Sequence, residues 1–424
     1  MTIDLIKLSG DHYELGVQQG RFCQLLFGKL NIMKIMRDLN FVQAAKPIGG
    51  APFNYIFGKL MSRGGRRMLK TIASFFPNQY DRIEGMAEGN GITAEKLSQF
   101  LYFENFSGDC KNDMNSPTQR GLGCTASIIK KNDQIFLIKN FDFPYELEEY
   151  QTIRYSHFTN NSGYDNVTAG IIAVPHAITG INEKGLALSI NSGYSTDIKH
   201  SAVPSGVLTQ ECLETCETAD EAKEIILDVP LSAGWIFLII DKNGVGYVIE
   251  KTHSKKAVRE FTEYHDGQYL VASNSLIAPE TKAMQVPDDT LWTMNGDLKD
   301  APVIKHAEYR RKRMENLVKD LLANKNSKDS IKLEDLRKIL ADHENMENDP
   351  WNESICRHSE LYKTLSSIII DLNSQTCYSI DGNPCSNNPM KKYEVKFDYL
   401  DQIPNIRFMR RKNPECKFFD PLIG

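Results

Sequence analysis

Residues 124–131 and 134–140 are two apolar-rich runs separated by the polar pair Asn132-Asp133, and they constrain the fold more than any other stretch. Runs of strand length on either side of a short polar turn predict an antiparallel β-hairpin, because parallel strands need a far longer crossover. The hairpin opens at Gly121-Leu122-Gly123-Cys124-Thr125 and ends at Lys139-Asn140-Phe141-Asp142-Phe143-Pro144. Closing it would carry Asp142 back beside Cys124. The glycines ahead of Cys124 are too flexible to hold a core element, which points to Cys124 as a nucleophile. A buried structural cysteine is the competing reading, since free cysteine is among the most buried residue types.

The chemistry fits these residue types. A thiol with a pKa of ~8.5 needs a base at neutral pH, and a free α-amino group, titrating at about 7.7–8.0, can serve as one. Severing the Gly123–Cys124 bond would put nucleophile and base on one residue. Glycine has no Cβ, so the thiol could approach the Gly123 carbonyl carbon, replace the amide with a thioester and lose it to water.

Beyond the hairpin, residues 1 to about 120 read as mostly helical. A short strand-like run, Ile3 to Leu8, is followed by Gly10-Asp11-His12-Tyr13-Glu14-Leu15-Gly16-Val17-Gln18-Gln19-Gly20, whose small residues Gly16 and Gly20 allow close backbone packing. A second helix, Tyr80 to Ile92, ends at Gly89 to Gly91, and Thr93 caps a third through Phe100. Asp109 to Arg120 is polar and loop-like. After Cys124 strands dominate: Val167 to Val174, Ala177 to Ile181, Leu186 to Ser192, Trp235 to Asp241 and Val245 to Glu250 are joined by tight turns. Gln210 to Leu227 reads as one helix with Thr218 as an N-cap inside it, and Ile304 to Leu322 and Lys332 to Ala341 are further helices. This pattern predicts an α+β fold of two antiparallel sheets packed together with helices outside.

Gly-Cys-Thr followed by a hairpin ending in Asn-Phe-Asp-Phe resembles the penicillin acyltransferase family of N-terminal nucleophile hydrolases, relatives of the bile-salt and penicillin V amidases. Further motifs follow in the family's order. They include Asn182-Glu183-Lys184-Gly185-Leu186, Ser189-Ile190-Asn191-Ser192, Ala272-Ser273-Asn274-Ser275, Ile355-Cys356-Arg357-His358 and Gly382-Asn383-Pro384-Cys385. The resemblance implies a four-layer αββα sandwich. It divides the chain into a mainly helical segment, 1–123, and a catalytic domain, 124–424, separated by self-cleavage between Gly123 and Cys124. It also implies a site of Cys124, Asp142, Asn191, Asn274 and Arg310, with Arg311 a close competitor for the last position. The two asparagines match oxyanion-hole positions, where a fixed amide N–H stabilises a tetrahedral intermediate better than water does. At Lys139 the amidase relatives carry arginine, and lysine keeps the charge but loses the planar fork.

The implied activity is that of a cysteine amidohydrolase or acyltransferase acting on a linear non-peptide amide or an acyl-thioester. Two alternatives stand beside it. One is an uncleaved hydrolase pairing Cys124 with His343 or His358; the other is a non-catalytic ligand-binding member of the fold. A net charge of −5 and a pI near 6.0 speak against nucleic acid or an anionic membrane as principal partner. Nine cysteines, an odd number scattered from Cys23 to Cys416, suit reduced thiols and not a disulfide framework. Met1 to Gly20 carries charges throughout and lacks a signal-peptide core, so a cytoplasmic location is expected. Cys212 and Cys216 lack nearby ligands, and neither a cofactor nor a metal is expected.

Overall fold

The computed structural model describes residues 3–30, 51–107, 123–199, 201–292, 300–324, 329–347, 350–351, 353–359 and 362–395. The Gly121-Leu122 corner, the Asp109 to Arg120 loop and the tail beyond 395 lie outside the described residues. In chain order the strands are β1 (Ile3–Gly10), β2 (Gly123–Lys131), β3 (Gln134–Pro144), β4 (Gln151–Phe158), β5 (Asn166–Ile171), β6 (Thr179–Asn182), β7 (Leu186–Ser192) and β8 (Trp235–Asp241). They continue with β9 (Gly246–Lys251), β10 (Lys256–Arg259), β11 (Thr262–Tyr264), β12 (Gly267–Ala272), β13 (Tyr362–Asp371), β14 (Thr376–Asp381) and β15 (Lys391–Glu394). Among the described residues the helices of eight residues or more are α1 (His12–Phe27), α2 (Ala51–Phe75), α3 (Pro77–Asn90), α4 (Ala94–Ser107), α5 (Ser205–Thr215), α6 (Ala219–Asp228), α7 (Val303–Asn324) and α8 (Leu333–Leu340).

The strands form two sheets, ordered β1-β4-β5-β6-β7-β8-β9-β10 and β11-β12-β2-β3-β13-β14-β15. Every pairing in them is antiparallel except β1 with β4, which is parallel. Side chains alternate across a strand, and β2 shows the result. Ala126 and Ile128 face the other sheet, where they meet Ile181, Ile236 and Leu238. Ile129 faces the opposite way, into a layer with Met314 and Val318 of α7 and Leu336 of α8. Beyond the first sheet, Val207, Leu208 and Leu213 of α5 and Ala222 and Ile226 of α6 bury Leu188, Phe237 and Ile249. Helix, sheet, sheet, helix is the expected αββα sandwich.

The central hairpin forms as the sequence predicts. Lys131 pairs with Gln134, and Asn132 takes a positive φ of 51°, a backbone that asparagine tolerates. The strand β3 runs on through Asp142 to Pro144, so Asp142 sits within the sheet, opposite Gly123.

Elsewhere the boundaries shift. The single helix expected over Gln210 to Leu227 is two, α5 and α6. The first stops at Cys216, whose backbone turns extended, and the Thr218 side chain then accepts from Glu221 N (3.2 Å) to start the second. Among the described residues no helix is long and apolar enough to cross a membrane.

In the amino-terminal segment, β1 joins the first sheet, and α1 lies against α3 at backbone contact distance. A Cβ on Gly16 or Gly20 would overlap carbonyls of Arg82 and Met86, and one on Gly85 or Gly89 would overlap those of Tyr13 and Val17. Gly91 ends α3 in a left-handed conformation (φ 69°), as its position after the helix predicts.

Candidate active site

The start of β2 places Cys124 at the end of the sandwich, 2 % exposed, among Phe141, Tyr194 and Trp292. Its main-chain N–H donates to Asn274 Oδ1 (3.0 Å), and Arg310 Nη2 donates to the same oxygen (2.9 Å). Asn274 in turn donates from Nδ2 to the Ser192 carbonyl (2.9 Å) and hydroxyl (3.2 Å). Three elements therefore converge on the backbone nitrogen of one cysteine: the end of β12, the end of β7 and helix α7.

Lys139 points from β3 to the same place. It is fully buried, within hydrogen-bonding reach of the Cys124 thiol, and it donates to Ile190 O and to Asn191 Oδ1 (3.0 Å). Asn191 donates from Nδ2 to the carbonyls of Ala272 (3.2 Å) and Ser273 (3.1 Å), which locks the two sheets together beside Cys124.

Asp142 completes the group from the other side. Its Oδ1 accepts from Thr364 Oγ1 (2.7 Å), and its Oδ2 lies 4.0 Å from Arg357 Nη1. Arg357 is itself buried and paired with Glu353. The guanidinium of Arg357 also occupies the space that a Cβ on Gly123 would take, while Asp142 Oδ2 lies 3.1 Å from that position. No residue larger than glycine fits ahead of Cys124 without moving both groups.

Burial sets the direction of each titration. It pushes the Cys124 thiol up, and the ammonium of Lys139 is the largest opposing influence. It pushes the Lys139 ammonium down, against the attraction of Cys124 and Asp142. It pushes the Asp142 carboxyl up, against Arg357, Arg310 and the Thr364 hydroxyl. Burial thus favours the uncharged pair, thiol beside amine, while a proton passed from sulfur to nitrogen leaves two opposite charges that attract each other. Three buried polar atoms, Asp142 Oδ2, Arg310 Nε and Arg310 Nη1, have no hydrogen-bond partner among the described residues.

All five expected site residues, Cys124, Asp142, Asn191, Asn274 and Arg310, thus share one buried cluster. Arg310 is 1 % exposed and faces it, whereas Arg311 pairs with Glu315 on the same helix (3.0 Å). His343 and His358 face each other instead, with Nε2 atoms 3.1 Å apart, and His358 Nε2 lies 3.5 Å from Cys356 Sγ. Their placement gives no support to a Cys124–imidazole pair. Sequence reasoning did not include Lys139, Arg357, Glu353, Thr364 and Ser192. In the sequence Lys139 stands out only as a departure from the relatives, and Arg357 only as part of a motif without a role.

A small cavity between the sheets lies beside this cluster, lined by the apolar Phe141, Ile153, Ile178 and Ile368 and by the polar Lys139, Gln151, Thr152, Thr179, Ser366, Ser379 and Asp381.

Residues 129–385 match the model of the family described as acyl-coenzyme A:6-aminopenicillanic acid acyl-transferase, a match that begins five positions after Cys124. Among solved structures, the chain is similar to a conjugated bile acid hydrolase from Clostridium perfringens, with 16 % identity over 64 % of this chain and 96 % of that one and a TM-score of 0.38. It is also similar to penicillin V acylase from Agrobacterium tumefaciens (15 % identity, 64 % and 86 % covered, TM-score 0.40). A third is the Caenorhabditis elegans ortholog of N-acylethanolamine-hydrolyzing acid amidase (13 % identity, 59 % and 93 % covered, TM-score 0.41). No curated protein matches. The family model spans more than half of the residues, and the chain belongs to the acyl-coenzyme A:6-aminopenicillanic acid acyl-transferase family.

Proposed function

We propose that this protein is a self-processing cysteine amidohydrolase or acyltransferase whose nucleophile is Cys124, freed as an amino terminus by cleavage of the Gly123–Cys124 bond. The observation that carries the reading is the Asn274–Arg310 clamp on the main-chain nitrogen of Cys124. A structural cysteine has no use for a buried carboxamide oxygen that accepts from its backbone N–H and is itself held in place by a guanidinium. An amine that must be oriented as a base does.

In the uncut chain the Lys139 amine in its neutral form, which burial favours, takes the thiol proton and becomes the ammonium beside the sulfur. The sulfur attacks the Gly123 carbonyl carbon, and the C–N bond breaks as the departing nitrogen is protonated. The resulting thioester is hydrolysed to a Gly123 carboxylate and a free Cys124. In later turnovers the α-amine of Cys124 takes the thiol proton, held by Asn274 Oδ1 and by the carboxyl of Asp142. The substrate acyl group forms a thioester on Sγ, its amine or thiol leaves with the proton, and water or an amine then accepts the acyl group. The chemistry in the family's name, acyl transfer from acyl-coenzyme A, supports an acyl-thioester as one substrate class.

Mass spectrometry of purified protein tests this. Wild type should yield two fragments with a new amino terminus at Cys124, and Cys124→Ala a single uncut chain. Gly123→Ala, which forces a Cβ into Arg357, should also leave the bond uncut. An intact wild-type chain with full amidase or acyltransferase activity would sink the proposal.

A further inference from the structure

Four groups that ligate metals meet outside the catalytic cluster. His343 comes from the loop after α8, Cys356 and His358 from the segment before β13, and Cys385 from the corner after β14; their ligating atoms all lie within 4.8 Å of one another. His358 Nε2 is 3.1 Å from His343 Nε2, 3.5 Å from Cys356 Sγ and 3.4 Å from Cys385 Sγ. Hydrogen bonds alone do not account for this. A ring nitrogen has one proton or one lone pair, so it can satisfy one of these three neighbours and not all of them. A cation at the centre satisfies all four groups together. Tetrahedral zinc, with Zn–N of about 2.0–2.1 Å and Zn–S of about 2.3 Å, separates its ligand atoms by roughly 3.3–3.8 Å, close to the spacings seen here.

The surroundings are those of a built site. Asn383 Nδ2 donates to the Arg357 carbonyl (2.7 Å) and lies 3.5 Å from Cys356 Sγ, a donor placed to steady a thiolate. Arg337 of α8 holds the Pro384 carbonyl (3.0 Å) on one side of Cys385 and the Ser386 carbonyl on the other. Cys356 N donates to Asp342 O (2.9 Å), which ties two of the ligand segments directly.

We propose that His343, Cys356, His358 and Cys385 bind one zinc ion in a closed, four-coordinate structural site. Two thiolates and two imidazoles in a tetrahedron select zinc over calcium, magnesium or manganese, and four protein ligands leave no open position for catalysis. Both cysteines give up their protons on binding. The ion cross-links three separate segments, the loop after α8, the segment before β13 and the corner after β14, and Arg357 lies between two of its ligands. The metal thereby fixes the backbone from which Arg357 reaches Gly123 and Asp142. Metal binding stands apart from the catalytic reading; this consequence for the cleavage site rests on it.

The full-length protein, expressed with zinc and purified under reducing conditions, should hold about one zinc per chain by inductively coupled plasma mass spectrometry. His343 and Cys385 are exposed, so His343→Ala and Cys385→Ala should fold, with an unchanged circular dichroism spectrum, and lose the metal. Cobalt(II) exchanged into wild type should show thiolate-to-cobalt charge transfer and intense tetrahedral ligand-field bands, absent in Cys385→Ala. Stripping the metal with a chelator should lower the melting temperature by at least about 5 °C. A wild-type chain that takes up neither ion, metal loss without a fall in melting temperature, or a Cys356–Cys385 disulfide in protein as first purified from zinc-supplied cells under reducing conditions would each overturn the proposal.

Discussion

At the scale of single residues, the site is governed by charges that the protein has taken out of water. Lys139 is the largest influence holding the Cys124 thiol below the level to which burial pushes it. Replacing its ammonium therefore moves the thiol pKa further up. Lys139→Met should shift the pH midpoint of iodoacetamide alkylation upward by about one unit or more, a tenfold loss of thiolate at any pH below the midpoint. A midpoint that stays where it was would show that the ammonium does not act on the sulfur. The cysteine and the aspartate were legible in the sequence because a two-residue turn fixes the hairpin register, and register alone brings position 142 opposite position 123. Arg357 was not. It reaches Gly123 through the pairing of β13 with β3, which joins residues more than two hundred positions apart, and no local pattern encodes that. Arg310 and Arg311 differ by one step around a helix, and only the packing of α7 on β2 and β12 decides which faces inward.

At the scale of elements, the glycines of α1 and α3 bring two helices together backbone to backbone. Gly85→Ala would drive a Cβ into the Tyr13 carbonyl and force the pair apart. A cost of about 1–3 kcal/mol is expected, read as a lower midpoint in urea unfolding. An unchanged midpoint would mean that the helices can separate freely. The spacing of Gly16 and Gly20 made this packing visible in advance, since residues four apart share a helix face. The strand β4 was not visible. Its sequence, QTIRYSHF, has only three apolar residues and breaks alternation at Gln151-Thr152 and Ser156-His157, and it places Arg154 in the interior, where the carbonyls of Val174 (2.9 Å) and His176 satisfy it. Burial of a charged residue in a strand follows from its tertiary partners, and propensity offers no sign of it.

At the scale of the molecule, the proposed cut would not release the amino-terminal piece. Glu214 of α5 accepts from Arg82 and Gln79 (2.5 Å) of α3 and lies 3.2 Å from His12 of α1, while Gln79 also reaches Glu211 (3.0 Å). Despite burial, Arg82 and His12 hold Glu214 down at about 2. Burial and the charge of Glu214 push Glu211 up to about 7. The signs differ. The contribution of Glu214 is complete above its free value near 4.5 and fades as pH falls toward 2. That of Glu211 is complete below 4.5 and fades as pH rises toward 7. The two fragments should co-elute in size-exclusion chromatography, with a melting temperature that declines from pH 5 to pH 7.5. Glu211→Gln should flatten that decline, and an unaltered slope would rule out its cause.

The pairing of β1 with β4 has one more consequence. Residues 3–10 would belong to the piece ahead of the cut, yet they finish the margin of a sheet belonging to the piece behind it. Stripped of that ribbon, β4 would present a row of bare amides and carbonyls ready to recruit the same row on another molecule. The severed segment thus works as a selvedge, keeping the weave from catching on its neighbours long after its covalent tie has gone.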